Sequence, residues 1–279
     1  MIRMGILSAN KNGADSAPAI GKFKELSITH QGLSPESLTG DQTINTAAEI
    51  ANTTDGLYIE LPHPDMNLIR QAIRRSNHLF LKALPMLSAH EIEALISLEN
   101  EAGCITQIFV PHLFRSKNLK LVGQLETPVL FNFRLAPIPA MNNRELLMHN
   151  LLFLVVLEKS NFRKAEVMVL DGGSQISVLD VRLSFSSGTI AHLSFTDQFE
   201  ADQSVMEIFQ KDRPLHVCPL PLLNGAELAA SEKNALRQFI LAVKRKPAIL
   251  VSLNELLQAR YIFREIEEKL TTSGSSLPE

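Results

Sequence analysis

The chain has 279 residues, 45% hydrophobic and 20% charged, with a formal net charge of −3. That length suits one large or two medium domains with a real core, and the charge offers no basic field for nucleic acid. Two cysteines, Cys104 and Cys218, stand too far apart for metal or redox motifs, so reduced and buried thiols are expected.

The first stretch, Met4 to Ile20, reads as a strand, a turn and the start of a helix. Ile2, Met4, Ile6 and Leu7 form a short apolar run suited to a buried parallel strand. Ser8 to Gly13 supply turn chemistry, and Ala14 to Phe23 can form a helix. A dinucleotide-binding turn places three glycines at such a junction, for the turn, for the pyrophosphate's approach and for helix packing. Here the three positions hold Ser8, Asn10 and Gly13. Asn10 tolerates positive φ, but its side chain would stand where a pyrophosphate lies. Lys11 can hold a phosphate beside the helix N-terminus or be a solvated loop lysine. The next strand, Glu25 to His30, is followed by Gln31, Gly32 and Leu33, so no acid awaits the ribose until Glu36.

The order then continues as a polar stretch, a helix from about Gln42 to Asn52, a strand from Gly56 to Leu61, and a helix capped by Asp65 and ending near Ser76. A strand at His78 to Leu81 follows. Ser88 and Glu91 form a capping box for a helix whose apolar face is Ile92, Leu95 and Ile96, and Gly103 stops it. Cys104 to Val110 is the next strand. Alternating strands and helices with short links imply a Rossmann-like, doubly wound parallel sheet.

Beyond Val122 the pattern changes. Pro128 to Pro137 reads as a strand and Asn143 to Leu157 as a very apolar helix. Ala165 to Leu170, Gln175 to Phe185 and Thr189 to Phe199 read as strands joined by DGGS and SSG turns. A strand pair is expected over Val205 to Val217, a helix over Ser231 to Lys244, and a last helix from Leu253 to Leu270. Meandering strands with helices on one face make an open, mainly antiparallel α+β domain. The expected division is residues 1–122 and 123–279. The longest apolar cluster, Leu146 to Leu157, is about half a membrane span and contains His149 and Asn150. With no signal-like start, a soluble cytoplasmic protein is expected, with no membrane and no nucleic-acid partner.

This layout resembles the glucose–fructose oxidoreductase and inositol dehydrogenase (Gfo/Idh/MocA) family. The resemblance is carried by DGLYIELPHPDMNLIRQAI, NHLFLKALPMLSAHEIEALISLENEAG, the segment around MHN, and NALRQFILAVKRKPAILVSLNELLQARYIFREI. It implies NAD or NADP as cofactor, and sugars, inositols or related small molecules as substrates. Members usually carry Glu-Lys-Pro after the strand ending at Leu81, where this chain has Lys82, Ala83 and Leu84. The family's catalytic lysine therefore falls on Ala83. Lys82 serves only if the alignment slips by one residue, and is otherwise a surface lysine. The substrate-side motif of acid, His and acid falls on Glu145, His149 and Leu152. Glu145 and His149 share one helical face, so the carboxylate can orient the imidazole; His149 as a satisfied polar residue is the alternative. After Leu61, relatives read Thr-Pro-Asn-His near the cofactor, where only Pro62 matches and His63 is displaced.

Losses at both halves of the reaction suggest a kept fold with lost or altered chemistry: a pseudo-enzyme that uses the interdomain cleft or the open sheet face to bind a small molecule or a protein partner, with NAD or NADP as cofactor if any. The competing reading is an active, atypical NAD(P)-dependent oxidoreductase using Lys82 and His149. A homo-oligomer through the C-terminal sheet is also expected, as the family commonly associates there. No metal site is expected.

Overall fold

The computed structural model describes residues 1–8, 23–31, 49–61, 64, 66–137, 142–171, 176–196, 200–220 and 223–272. The chain divides into two compact units, one of residues Met1–Arg115 with Gly225–Leu257, the other of Ser116–Asn224 with Gln258–Glu279. A contiguous split at residue 122 leaves Gly225–Leu257 with the second domain; by contacts these residues group with the first sheet.

The first unit is built on a five-stranded parallel sheet, β1 (Ile2–Ser8), β2 (Leu26–Gln31), β3 (Gly56–Glu60), β4 (His78–Leu81) and β5 (Thr106–Ile108), in the order β2-β1-β3-β4-β5. The strands are apolar on both faces because a parallel sheet is covered on both; Met4, Ile6, Leu57, Ile59, Leu79 and Leu81 are all buried. Gly5 in β1 is needed for a close approach, since a Cβ there would run into Ile50 and Leu57. Helix α1 (Met66–Arg74) precedes β4, and α2 (Ala89–Ala102) precedes β5. Ser88 and Glu91 form the expected capping box, and Gly103 closes α2 at φ 65°. Of the helix expected over Gln42 to Asn52, residues 49–53 are described and are helical. The helix expected from Ala14, the Asp65 cap and the DGGS turn lie outside the described residues.

The unit is completed from far along the chain, by the helix Gly225–Val243. Its start falls six residues before the expected Ser231, because Ala226 to Ala230 are strong helix formers. Ser231 is buried within the helix, and its hydroxyl donates to the Pro111 carbonyl. Phe239 of this helix meets Phe80 edge-on at 5.9 Å, and Phe80 stacks on Tyr58 at 5.1 Å.

The second unit is a six-stranded sheet of β6 (Val129–Leu135), β7 (Phe162–Asp171), β8 (Ile176–Phe185), β9 (Ile190–Thr196), β10 (Val205–Gln210) and β11 (His216–Pro219). Their order is β11-β10-β6-β9-β8-β7. All neighbours are antiparallel except β6 and β9, which run parallel. The meander is therefore interrupted: β7, β8 and β9 follow one another, but β6 lies between β9 and β10. The SSG turn between β8 and β9 forms with Gly188 at φ 87°.

One face of this sheet is core, with Phe131, Phe133, Leu179, Val181, Leu193, Met206 and Ile208 buried. The alternate residues are half-buried, as at Asn132, Asp180 and Glu207, or exposed, as at Leu130, Arg182 and Phe209. The short helix α3 (Ser116–Leu119) opens this unit, and α4 (Asn143–Glu158) follows β6; the helix completing the first unit is α5, and α6 (Leu253–Thr272) ends the described chain. α4 is buried almost all round, as its apolar sequence requires. Among the described residues no helix is long and apolar enough to cross a membrane.

Candidate functional site

In the order β2-β1-β3-β4-β5 the chain leaves β1 on one side and returns on the other. The carboxyl ends of β1 and β3 therefore flank a topological switch point, where open α/β sheets bind their ligands. The last residues of these two strands, Ser8 and Glu60, are register partners. Ser8 is fully buried, and its hydroxyl donates to Glu60 Oε2 at 3.0 Å. The other Glu60 oxygen accepts from Lys82 Nζ at 2.5 Å. Lys82 stands just past β4, where its backbone N–H, bonded to the Ile59 carbonyl, fixes the ammonium beside the end of β3.

Lys82 also lies 3.4 Å from Glu232 of α5. Glu232 in turn accepts from the Tyr58 hydroxyl at 2.6 Å. Its side chain is 6% exposed, against 22% for Lys82 and 18% for Glu60. A carboxylate this buried requires partners, and Tyr58 and Lys82 supply them. Five side chains from β1, β3, the end of β4 and α5 are thus joined in one network, on a floor formed by Tyr58, Phe80 and Phe239.

Ser8 and Lys82, both candidates from the sequence, are brought together through Glu60. Glu60, Tyr58 and Glu232 escaped sequence reasoning. A glutamate closing an otherwise apolar strand, and a tyrosine inside a strand that must be buried, were available signals; Glu232 has no local one. Asn10, Lys11, Gly13, Pro62 and His63 lie outside the described residues. Ala83 and Leu84 follow Lys82, with Leu84 buried.

Glu145 and His149 belong to α4 in the second unit. Asn142 caps this helix by accepting from the Glu145 N–H at 2.7 Å. His149 Nε2 lies 3.8 Å from Glu145 Oε1, beyond hydrogen-bond length, while its Nδ1 is buried with no partner among the described residues. Leu152 is fully buried, so no second acid joins them from that position.

Neither cysteine is in a disulfide and both are buried; burial, with Glu99 nearby, pushes the Cys104 thiol up to about 12. Among the described residues no cluster of His, Cys, Asp or Glu could hold a metal ion.

A dinucleotide at the switch point needs donors aimed at its pyrophosphate. Of the described residues there, Ser8 gives its hydroxyl to Glu60, and Glu60 brings a carboxylate. Neither suits a pyrophosphate.

No family model matches the sequence, and no curated protein matches it. Solved structures do match, over nearly the whole chain. UDP-N-acetylglucosamine 3-dehydrogenase GnnA from Acidithiobacillus ferrooxidans superposes with a TM-score of 0.68 at 14% identity, covering 95% of this chain and 96% of its own. GenD2 from gentamicin A biosynthesis, solved in complex with NAD, gives 0.73 at 11% identity, covering 98% and 95%. An NAD binding oxidoreductase from Klebsiella pneumoniae gives 0.72 at 11% identity, covering 98% and 97%. A parallel Rossmann-like sheet followed by a mixed sheet is shared with all three, and the chain has the fold of the Gfo/Idh/MocA-type dehydrogenases.

Proposed function

We propose that this chain keeps the fold of a nicotinamide-dependent dehydrogenase but has given up hydride transfer, and works as a small-molecule-binding protein. The observation that carries this reading is the position of Lys82, whose ammonium lies between the carboxylates of Glu60 and Glu232. Hydride transfer needs a firmly oriented cofactor and a proton donor or acceptor free to reach the reacting hydroxyl. Here the cation nearest the family's catalytic position is committed to two acids. The sequence adds Ala83 and Leu152 where the family's lysine and second acid belong.

A second reading is an atypical NAD(P)-dependent oxidoreductase acting on a sugar, polyol or related small molecule, with Lys82 and His149 moving protons. The likeness to GenD2 in complex with NAD favours it, as does the carboxylate beside His149. One experiment separates the two. The purified protein, checked by absorbance for carried-over nicotinamide, is titrated calorimetrically with NADH and NADPH and screened for turnover on sugars and polyols. The binding-protein reading expects neither binding at millimolar cofactor nor turnover. Turnover of any such substrate with either nicotinamide would end it.

A further inference from the structure

α5 runs from the candidate site to the opposite edge of the first sheet. Glu232 meets Tyr58 and Lys82 beside the carboxyl ends of the strands. Lys244 stands twelve residues further on, about 18 Å along a helix, and lies 3.8 Å from Glu25. Glu25 precedes β2, and its carbonyl accepts from the N–H of Ile2, the first residue of β1. This is the amino edge of the sheet. It carries a cleft of about 190 Å³. Phe23, Ile240 and Leu241 form its apolar lining, and Arg237, Lys244 and Lys246 stand around it with Glu25.

The way α5 ends accounts for part of this arrangement. The Lys246 N–H donates to the Leu241 carbonyl and the Arg245 N–H to the Ala242 carbonyl, with Arg245 at φ 55°. A left-handed residue with this pair of bonds turns the chain back over the last turn of the helix. The next residue then usually makes an apolar contact with that turn. Here the next residue is Lys246, and it shares the cleft with Leu241. A helix C-terminus favours cations in its last turn, which explains Lys244 and Lys246 but not Arg237, about two turns earlier. Lys244 has Glu25, a pair exposed on both sides and so worth little. Arg237 and Lys246 have no side-chain partner among the described residues.

Three cations therefore face one acid across an apolar lining. We propose that this cleft binds a small carboxylic acid with an apolar body, such as an aromatic or branched-chain acid. Arg237 and Lys246 bond the carboxylate, for which the planar guanidinium fork is well shaped. The body lies on Phe23, Ile240 and Leu241. The volume sets the size, being below the roughly 300–1,000 Å³ of drug-sized sites. Glu25 and the half negative charge, roughly, of the helix end temper the cations, so one negative charge suits the cleft better than the two of a phosphate. This is a second site, away from the switch point, and it stands whichever way the nicotinamide question is decided.

The test is calorimetric titration of the full-length protein with benzoate, benzamide, acetate and inorganic phosphate. R237Q and K246Q remove one cation each, and K233Q removes an exposed lysine of α5 outside the cleft. Arg237 and Lys246 are themselves exposed, so their variants should keep the wild-type urea midpoint. Benzoate is expected to bind wild type and K233Q with a Kd of about 1 mM or below, and R237Q and K246Q about tenfold more weakly. Benzamide lacks the charge and acetate the apolar body, so each should bind wild type about tenfold more weakly than benzoate. Phosphate should also bind more weakly than benzoate. The proposal is overturned if wild type shows no benzoate binding at about 10 mM, or if R237Q and K246Q bind it as wild type does. It is equally overturned if benzamide, acetate or phosphate matches benzoate. The comparison of the four probes on wild type decides the matter even where a variant fails to fold, and a nicotinamide result of either kind leaves it intact.

Discussion

Two acid–base arrangements in this chain were assembled in opposite ways. Glu145 and His149 are four residues apart on α4, and their side chains stand 3.8 Å apart with one imidazole nitrogen lacking a partner among the described residues. Glu60, Lys82 and Glu232 come from a strand end, a strand exit and a distant helix, yet their charged atoms lie at 2.5 and 3.4 Å, with Ser8 and Tyr58 as further donors. Helical spacing guarantees that two side chains share a face, and is worth only about 0.2–0.5 kcal/mol in an exposed pair. It does not make them bond. A network gathered by the fold rests on a packed floor that leaves it little freedom. The pair most legible in the sequence is the looser of the two.

The contrast can be broken most severely at the floor. Phe80→Ala removes the ring that stacks on Tyr58 and meets Phe239, and is expected to cost about 3–5 kcal/mol in a urea unfolding experiment. A cost below about 1 kcal/mol would mean that the site does not depend on this packing. Next comes Lys82→Met, which leaves Glu232 buried with Tyr58 as its remaining partner from the network described here. A loss of about 1–3 kcal/mol is expected, and a stabilised variant would show that the acids tolerate one another without the ammonium. Glu145→Gln in the other arrangement should cost no more than about 0.5 kcal/mol; a loss matching that of Lys82→Met would erase the distinction.

The smallest effect concerns pH. His78 opens β4, and burial lowers its pKa from the ordinary 6.5, with Asp55 opposing in part. The unfolded chain then binds the proton more readily than the native one. The contribution of His78 is therefore complete above pH 6.5 and is lost as pH falls from there through the folded value. His78→Gln should flatten the decline in stability as pH falls below 6.5, and identical slopes in variant and wild type would refute the assignment.

Elements whose ends are set by local chemistry were legible in the sequence. Ser88 with Glu91 and Gly103 bound α2 as their residue types demand, and the run HLFL is β4 from end to end. Where tertiary contacts override the local signal, reading failed. Ser231, expected to begin a helix, lies inside α5, buried, with its hydroxyl donating to the Pro111 carbonyl. The parallel pairing of β6 with β9 leaves no trace in the alternation of either strand, since alternation reports a face and not a neighbour. Glu232 was invisible for the same reason: what makes it part of a site is Tyr58, 174 residues away.

That separation also bears on how the protein is made. Tyr58 and Phe80 are fully buried, and their partners on α5 emerge from the ribosome only after the strands β6 to β11 have been translated. Domains ordinarily fold as units while synthesis proceeds, but the first 115 residues cannot be finished in that way. Their sheet must wait, with an aromatic face uncovered, while the sheet of the second unit is free to form ahead of it. A chain halted before residue 225 would carry an incomplete first unit, exposed to proteases and chaperones.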